Sequence, residues 1–349
     1  MTEGFILDGR CIGPDQPPYI IAEMSGNHNG DLGRALALID AAKAAGADAV
    51  KIQTYRADTL TIDHDGPGFR IEGGLWEGRT LYELYEEAHT PWDWHAPMFA
   101  HTREIGITLF SSPFDASAVD LLEGLAAPAY KIASFEIVDL PLIARVAQTG
   151  KPLIISTGMA SLGEIGEAVA SVRAVGDNPI LLLHCTSGYP TPFADADLRT
   201  IPHLAQTFGC MAGLSDHTMG LAAPVAATAL GAVAIEKHFT LRRADGGVDS
   251  AFSLEADELA LLVRTTREAH AALGGIGYDL KPSEAESRDL RRSLYVVRDI
   301  AAGEVLSEAN IRSIRPGFGL APKHLPTVLG RRARRALKKG DPVAWDMLD

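Results

Sequence analysis

Cysteine is scarce, with only Cys11, Cys185 and Cys210 in 349 residues and no CxxC pair among them. That excludes a disulfide framework and a thiolate zinc site, and it leaves reduced core thiols as the expectation. Long apolar runs are absent too: nothing approaches the roughly 18 residues of a membrane span, and the first ten residues lack a basic-then-apolar signal pattern. A soluble, cytoplasmic chain with no membrane partner is expected. Aromatic residues make up only 7%, and 32 Lys and Arg are outnumbered by 45 Asp and Glu. A net charge of −13 repels a phosphate backbone, so no nucleic-acid partner is expected. The imbalance is uneven. From Ser283 onward 13 basic residues face 9 acidic ones, a balance of +4, which leaves −17 on the first 282 residues.

What is present is a hydrophobic content of 46%, enough in a chain this long to fill a sizeable core. Eight short apolar runs, at 19–25, 49–54, 108–113, 130–134, 152–157, 180–186, 212–217 and 234–239, alternate with alanine-rich helical segments. That alternation is the pattern of parallel βα units. Eight of them predict an α/β fold, a TIM (β/α)8 barrel over residues 1–282, rather than an open doubly wound sheet, and no GxGxxG turn follows the first run. Asp31 and Ser161 precede helical segments that stop at Gly46 and Gly176. Residues 55–107 are too long for one crossover, and the Gly-rich portion Gly66–Gly78 predicts an excursion over the barrel mouth. The Gly-rich, charged stretch 274–286 marks a domain boundary. Residues 283–349 then read as a small β-rich module, with strands near 293–297 and 311–313, that is marginal in size unless it packs on something. Its basic run Arg331–Lys339 reads as a solvated helix face, with contact to another macromolecule as the alternative.

Successive strand residues point to opposite faces, so parity identifies inward positions. Glu23, Lys51, Gln53, Lys131, Ser156, His184, Thr186, Ser215, His217, Glu236 and His238 fall inward near the C-terminal ends of their runs. So many polar groups at one mouth cost desolvation unless they line a site. His217 and His238 end adjacent strands and, with carboxylates near, suit Mn, Co, Fe or Zn rather than a structural zinc. Two unrelated core histidines are the alternative. Buried Lys51 and Lys131 need anions, and Ser112, Ser134, Ser156 and Ser215 can donate to phosphate oxygens, so a phosphorylated small molecule is implied. Internal Lys–Glu pairs through Glu23, Glu136 or Glu236 compete with that reading.

The segments IAEMSGNHNG (Ile21–Gly30), VKIQT (Val50–Thr54), SSPFD (Ser111–Asp115), YKIASFE (Tyr130–Glu136), ISTGM (Ile155–Met159), HCTSGYPTP (His184–Pro192), GLSDHT (Gly213–Thr218) and EKHFT (Glu236–Thr240) together resemble the sialic acid synthase family. Its members condense phosphoenolpyruvate with N-acetylated amino sugars. RPGFGLAP (Arg315–Pro322) resembles that family's antifreeze-protein-like (SAF) domain. Met24-Ser25, TLYELYEEAHTPWDW (Thr80–Trp94) and GVDSAFSLE (Gly247–Glu255) resemble the pseudaminic branch, whose sugar is a 2,4-diacetamido-2,4,6-trideoxy hexose. Neuraminate and legionaminate synthesis are the alternatives within the family.

The resemblance implies a divalent ion on His217 and His238, usually manganese, with Mg or Co as substitutes. It implies phosphoenolpyruvate on Lys51, Ser134, Ser156 and Ser215, joined by Arg315 from the partner of a domain-swapped homodimer. Gln53, Ser112 and Lys131 belong to the same substrate-binding set. Glu23 is implied in acid/base work, and Glu136, Tyr189 and Asp249 in orienting the sugar. Tyr82, Trp92, Trp94 and Phe252 are expected to supply apolar surface for a 6-deoxy sugar. Ser187-Gly188 departs from neuraminate synthases, which often place Asn and an apolar residue there. A metal-dependent aldolase or a barrel hydrolase is the competing enzyme class. Barrel amidohydrolases, however, open with an HxH where Glu23 stands, and a sugar-sensing module would not need the paired His.

Overall fold

The computed structural model describes residues 4–349. The chain divides into two compact units, one ending at Gly274 and the other spanning Gly275–Asp349, at the start of the Gly-rich stretch and eight residues before position 282.

In the first unit a hairpin of β1 (Phe5–Leu7) and β2 (Arg10–Ile12) precedes the barrel. The barrel strands are β3 (Tyr19–Glu23), β4 (Ala49–Thr54), β5 (Thr108–Pro113), β6 (Tyr130–Ile132), β7 (Leu153–Ser156), β8 (Ile180–Cys185), β9 (Met211–Asp216) and β10 (Ala234–His238). They run parallel in chain order and close where β10 pairs with β3, giving the expected TIM barrel. Side-chain caps set the helix starts. Asp31 accepts from the Arg34 amide at 3.0 Å, and Ser161 and Glu164 form a reciprocal capping box.

Two apolar layers sandwich the strands. Ile20, Val50, Ile52 and Leu182 face the helices, whereas Ile21, Phe110, Ile154, Leu181 and Leu183 face inward and pack with Leu7 and Ile12 of the hairpin. The hairpin thus plugs the N-terminal end of the barrel, and the polar inward residues are confined to the C-terminal end. Leu7→Ala should lower unfolding stability by about 2–5 kcal/mol, because the plug loses packing that cannot collapse onto a closed barrel. Urea denaturation checks this, and KM values should not move. Glycine is required at 213, where a Cβ would lie 2.4 Å from the Ala234 carbonyl oxygen. The close approach seats β9 against β10, whose ends carry the two histidines.

Three expectations are corrected. His184 and Thr186 do not face inward: His184 Nε2 meets the Ala196 carbonyl at 2.8 Å, Thr186 Oγ1 donates to the Asp195 carbonyl, and Cys185 takes the inward position. Cys11 is exposed on the hairpin, while Cys185 and Cys210 are buried. In the second unit β11 (Ser293–Val296) pairs antiparallel with β12 (Ile311–Ile314) over a core that includes Leu294, Val296, Ile300 and Ile311. The basic run there is not helical. Arg332, Ala333 and Leu337 sit in extended bridges to Val305, Leu348 and Ile300, which buries Ala333 and Leu337 in the module's core.

Candidate active site

The C-terminal strand ends surround a cavity of about 440 Å³. Pairing register aligns its floor: Glu23 of β3 lies opposite Lys51 of β4 and His238 of β10, and Glu236 lies opposite Ser215 of β9. Lys51 Nζ is 2.7 Å from Glu23 Oε2 and 3.6 Å from Glu236 Oε1, and Lys131 Nζ donates to Glu236 Oε1 at 3.0 Å. Gln53 Nε2 donates to Glu23 Oε1 at 2.8 Å. Internal Lys–Glu pairs therefore exist, and they form one network rather than isolated bridges. Two buried ammonium groups need compensation, and two carboxylates supply it.

The two carboxyls differ. Burial lifts Glu23 above its ordinary range, and Lys51 only partly opposes this. Burial also works against the Glu236 carboxylate, but Lys131 and Lys51 outweigh it and hold Glu236 low. Neighbouring carboxyls pushed in opposite directions can divide the work of acid and base, and Glu23, once ionised, is the stronger base of the two and the one able to take up a proton.

Ser156 Oγ is buried at the edge of this floor without a partner, a donor with nothing to donate to. Ser134 and Ser215 line the same cavity. Ser112 does not: it sits beneath Lys51 and accepts from it at 3.3 Å. Glu136 follows β6 in a short turn, and burial raises its carboxyl to about 7, with Oε2 unpartnered.

The imidazoles of His217 and His238 have centroids 5.3 Å apart. His217 Nδ1 contacts the Thr186 carbonyl at 3.0 Å, which leaves Nε2 free, and His238 Nδ1 is buried without a partner. Two imidazoles sharing one ion through bonds of about 2.1 Å place their ring centres roughly 4.5–5.5 Å apart, so the pair fits a divalent cation. Among the described residues no third His, Cys, Asp or Glu completes a cluster, which suits a catalytic ion whose other positions are open. Burial, reinforced by His217, holds His238 well below its ordinary range and keeps it neutral. The rings are clamped by Tyr189, 4.5 Å from His217, and by Phe252, 4.9 Å from His238. Asp249 Oδ2 lies 3.8 Å from His238 Nδ1 and accepts from Ser25, a residue held at φ 48°.

Of the sequence-derived residues, Glu23, Lys51, Gln53, Lys131, Ser134, Glu136, Ser156, Tyr189, Ser215, His217, His238 and Asp249 all line the cavity. Arg315 belongs to the second unit. The aromatic expectation is only partly met. Phe252 touches the histidines, but Tyr82 and Trp92 line a separate recess with Arg56, and Trp94 packs on His28. The apolar wall instead comes from Leu81, Leu84, Tyr85, Trp76 and Tyr55. Cys185 also lines the cavity; burial would raise its thiol, but His217 outweighs this and brings it to about 7. A larger cavity, about 540 Å³, opens at the N-terminal end around Tyr19 and Lys43, where Arg10 pairs with Asp48; it contains no histidine.

Comparison with known proteins agrees with this geometry. Residues 38–278 match the NeuB family and residues 291–349 match the SAF domain. The pseudaminic acid synthase of Helicobacter pylori is 44% identical over 96% of this chain and 98% of its own length. That of Campylobacter jejuni serotype O:2 is 46% identical over 94% of this chain and 96% of its own. Among solved structures, the N-acetylneuraminic acid synthetase of Leptospira borgpetersenii superposes with a TM-score of 0.74 at 33% identity, covering 82% of this chain and 95% of that one. The Bacillus subtilis spore coat polysaccharide biosynthesis protein spsE superposes at 0.68 and 35% identity, covering 99% of each. The chain belongs to the NeuB family, built as a TIM barrel followed by a SAF domain.

Proposed function

We propose that the chain is a pseudaminic acid synthase that condenses phosphoenolpyruvate with 2,4-diacetamido-2,4,6-trideoxy-L-altrose and releases phosphate. The observation that carries this is the floor itself, with two buried lysines and an unpartnered serine beside a histidine pair at the barrel mouth. Relatives named pseudaminic acid synthase at 44–46% identity support the choice of sugar.

In this reading C3 of phosphoenolpyruvate bonds to the sugar's aldehyde carbon, whose oxygen takes up a proton. Water adds to C2, and the C2–O bond to phosphorus breaks. Lys51, Lys131, Ser134, Ser156 and Ser215 hold the carboxylate and phosphate where their charge stays while C2 becomes cationic. Glu23, with its raised affinity for protons, accepts the proton of the attacking water. Glu136, Tyr189 and Asp249 orient the sugar. A divalent ion, manganese or in its place Mg or Co, when held by His217 and His238 supplies Lewis acidity toward the aldehyde oxygen. The aldolase alternative requires no phosphate release from phosphoenolpyruvate.

A sugar-dependent release of inorganic phosphate from phosphoenolpyruvate tests the reading, and release that ignores the sugar would sink it. Glu23→Gln should lower kcat about 10²–10³-fold, because an amide cannot take the proton. Glu136 should leave a pH signature. Its ionised form, the stronger acceptor, prevails only above about 7, so KM for the sugar should fall as pH rises through that value. In Glu136→Gln the KM profile should be flat, and a persisting limb would assign the titration to another group.

A further inference from the structure

The excursion between β4 and the crossover helix Trp92–Ile105 is strongly acidic. Between residues 55 and 90 it carries eight Asp or Glu and three Arg, yet none of these charged side chains lines the cavity. What it presents there is mostly apolar, Leu60, Ile71, Leu81, Leu84 and Ala88, with the aromatic rings of Tyr55, Trp76 and Tyr85. The segregation is built into local structure. A Thr80–Glu83 capping box starts the helix Leu81–Ala88, and 3.6 residues per turn put Leu81, Leu84 and Tyr85 on one face and Glu83, Glu86 and Glu87 outside it. Ile71 and Trp76 lie on a tight reversal closed by the Ile71–Gly78 and Ile71–Arg79 backbone bonds. Trp76 Nε1 donates to the Val248 carbonyl at 2.9 Å, which pins that reversal beside Asp249.

The cavity is therefore two-ended, charged at the floor and apolar beneath the excursion. Resting on the synthase reading above, we infer that Leu60, Ile71, Leu81 and Leu84 form a subsite for the methyl-terminated, C6 end of the sugar and reject a hydroxyl there. The aldehyde carbon must meet phosphoenolpyruvate and the histidines at the floor, so the opposite end of the open chain lies under the excursion. A methyl group keeps that wall dry. A hydroxyl held against these four side chains would lose its water and gain no partner from them, since none carries a donor or an acceptor.

The test uses the full-length enzyme and two synthetic sugars that differ only at C6, the 2,4-diacetamido-2,4,6-trideoxy hexose and its 6-hydroxy counterpart. Wild type should favour the deoxy sugar about 100-fold in kcat/KM, the scale on which an apolar pocket discriminates one added hydroxyl. Ile71→Thr and Leu81→Thr, made separately so that a folding defect in one does not decide the matter, should each cut that preference at least about tenfold. Glu86→Ala, on the outer face of the same helix, should keep it. Equal turnover of the two sugars by wild type overturns the inference while leaving the synthase reading standing. So does an unchanged ratio in both threonine variants with wild-type melting temperatures. Turnover of neither sugar overturns the reading and the inference together.

Discussion

Exhaustive dialysis against EDTA is expected to bring turnover to background, and added Mn²⁺ to restore it. His217→Ala and His238→Ala should each lower kcat/KM by roughly 10³-fold or more, the loss of several kcal/mol of charge stabilisation. The expectation rests on three features of the pair: centroids 5.3 Å apart, a buried unpartnered Nδ1 on His238, and a His217 ring oriented by a backbone carbonyl. Calorimetry should detect one tight Mn²⁺ site per chain in the wild type and none in the double variant. Undiminished activity after dialysis would remove the ion from the account.

The second large effect is complementation between subunits. A trianionic substrate over a floor whose lysines are already matched by Glu23 and Glu236 calls for a further cation. The C-terminal module carries +4 against −17 on the rest, and Arg315 in its Pro-Gly-Phe-Gly loop is suited to bidentate anion contact. We propose that Arg315 acts on the barrel of a second copy in a domain-swapped homodimer. Arg315→Ala and Glu23→Ala chains should each be nearly inactive alone. Co-expressed, they should regain about a quarter of wild-type activity, because half the dimers are mixed and each mixed dimer has one intact site. No recovery would mean that every site keeps one defect, and that Arg315 serves its own barrel.

Parity made most of the site legible before any coordinates. Glu23 and Lys51 are flanked by apolar residues, so a period of two leaves no choice of face there, and the same parity carries to Gln53, Ser215 and Glu236, which follow Ile52, Leu214 and Ile235. The same reading failed on β8, because Ile180-Leu181-Leu182-Leu183 is apolar on both faces and nothing in it sets the phase. The phase of the two neighbouring strands would have corrected it and placed Cys185 inward. In the sequence Glu236 is one candidate partner for a buried lysine; the geometry shows that it joins both. In the excursion large aromatics outweighed periodicity. Tyr82 and Trp92 attract notice, but the helix that begins after Thr80 turns Leu81, Leu84 and Tyr85 inward together. Ala333, Ala336 and Leu337 mimic the i, i+3, i+4 spacing of an amphipathic helix, and extended bridges override it.

Mass spectrometry of the products decides whether the reaction is the one proposed. Phosphoenolpyruvate should be offered with 2,4-diacetamido-2,4,6-trideoxy-L-altrose, its legionaminate-type isomer and N-acetylmannosamine, with Mn²⁺ present. A nine-carbon acid is expected from the altrose sugar, formed mole for mole with phosphate and with a clear kcat/KM advantage over the other two. Equal or better turnover of N-acetylmannosamine, or no sugar-dependent product at all, would contradict it.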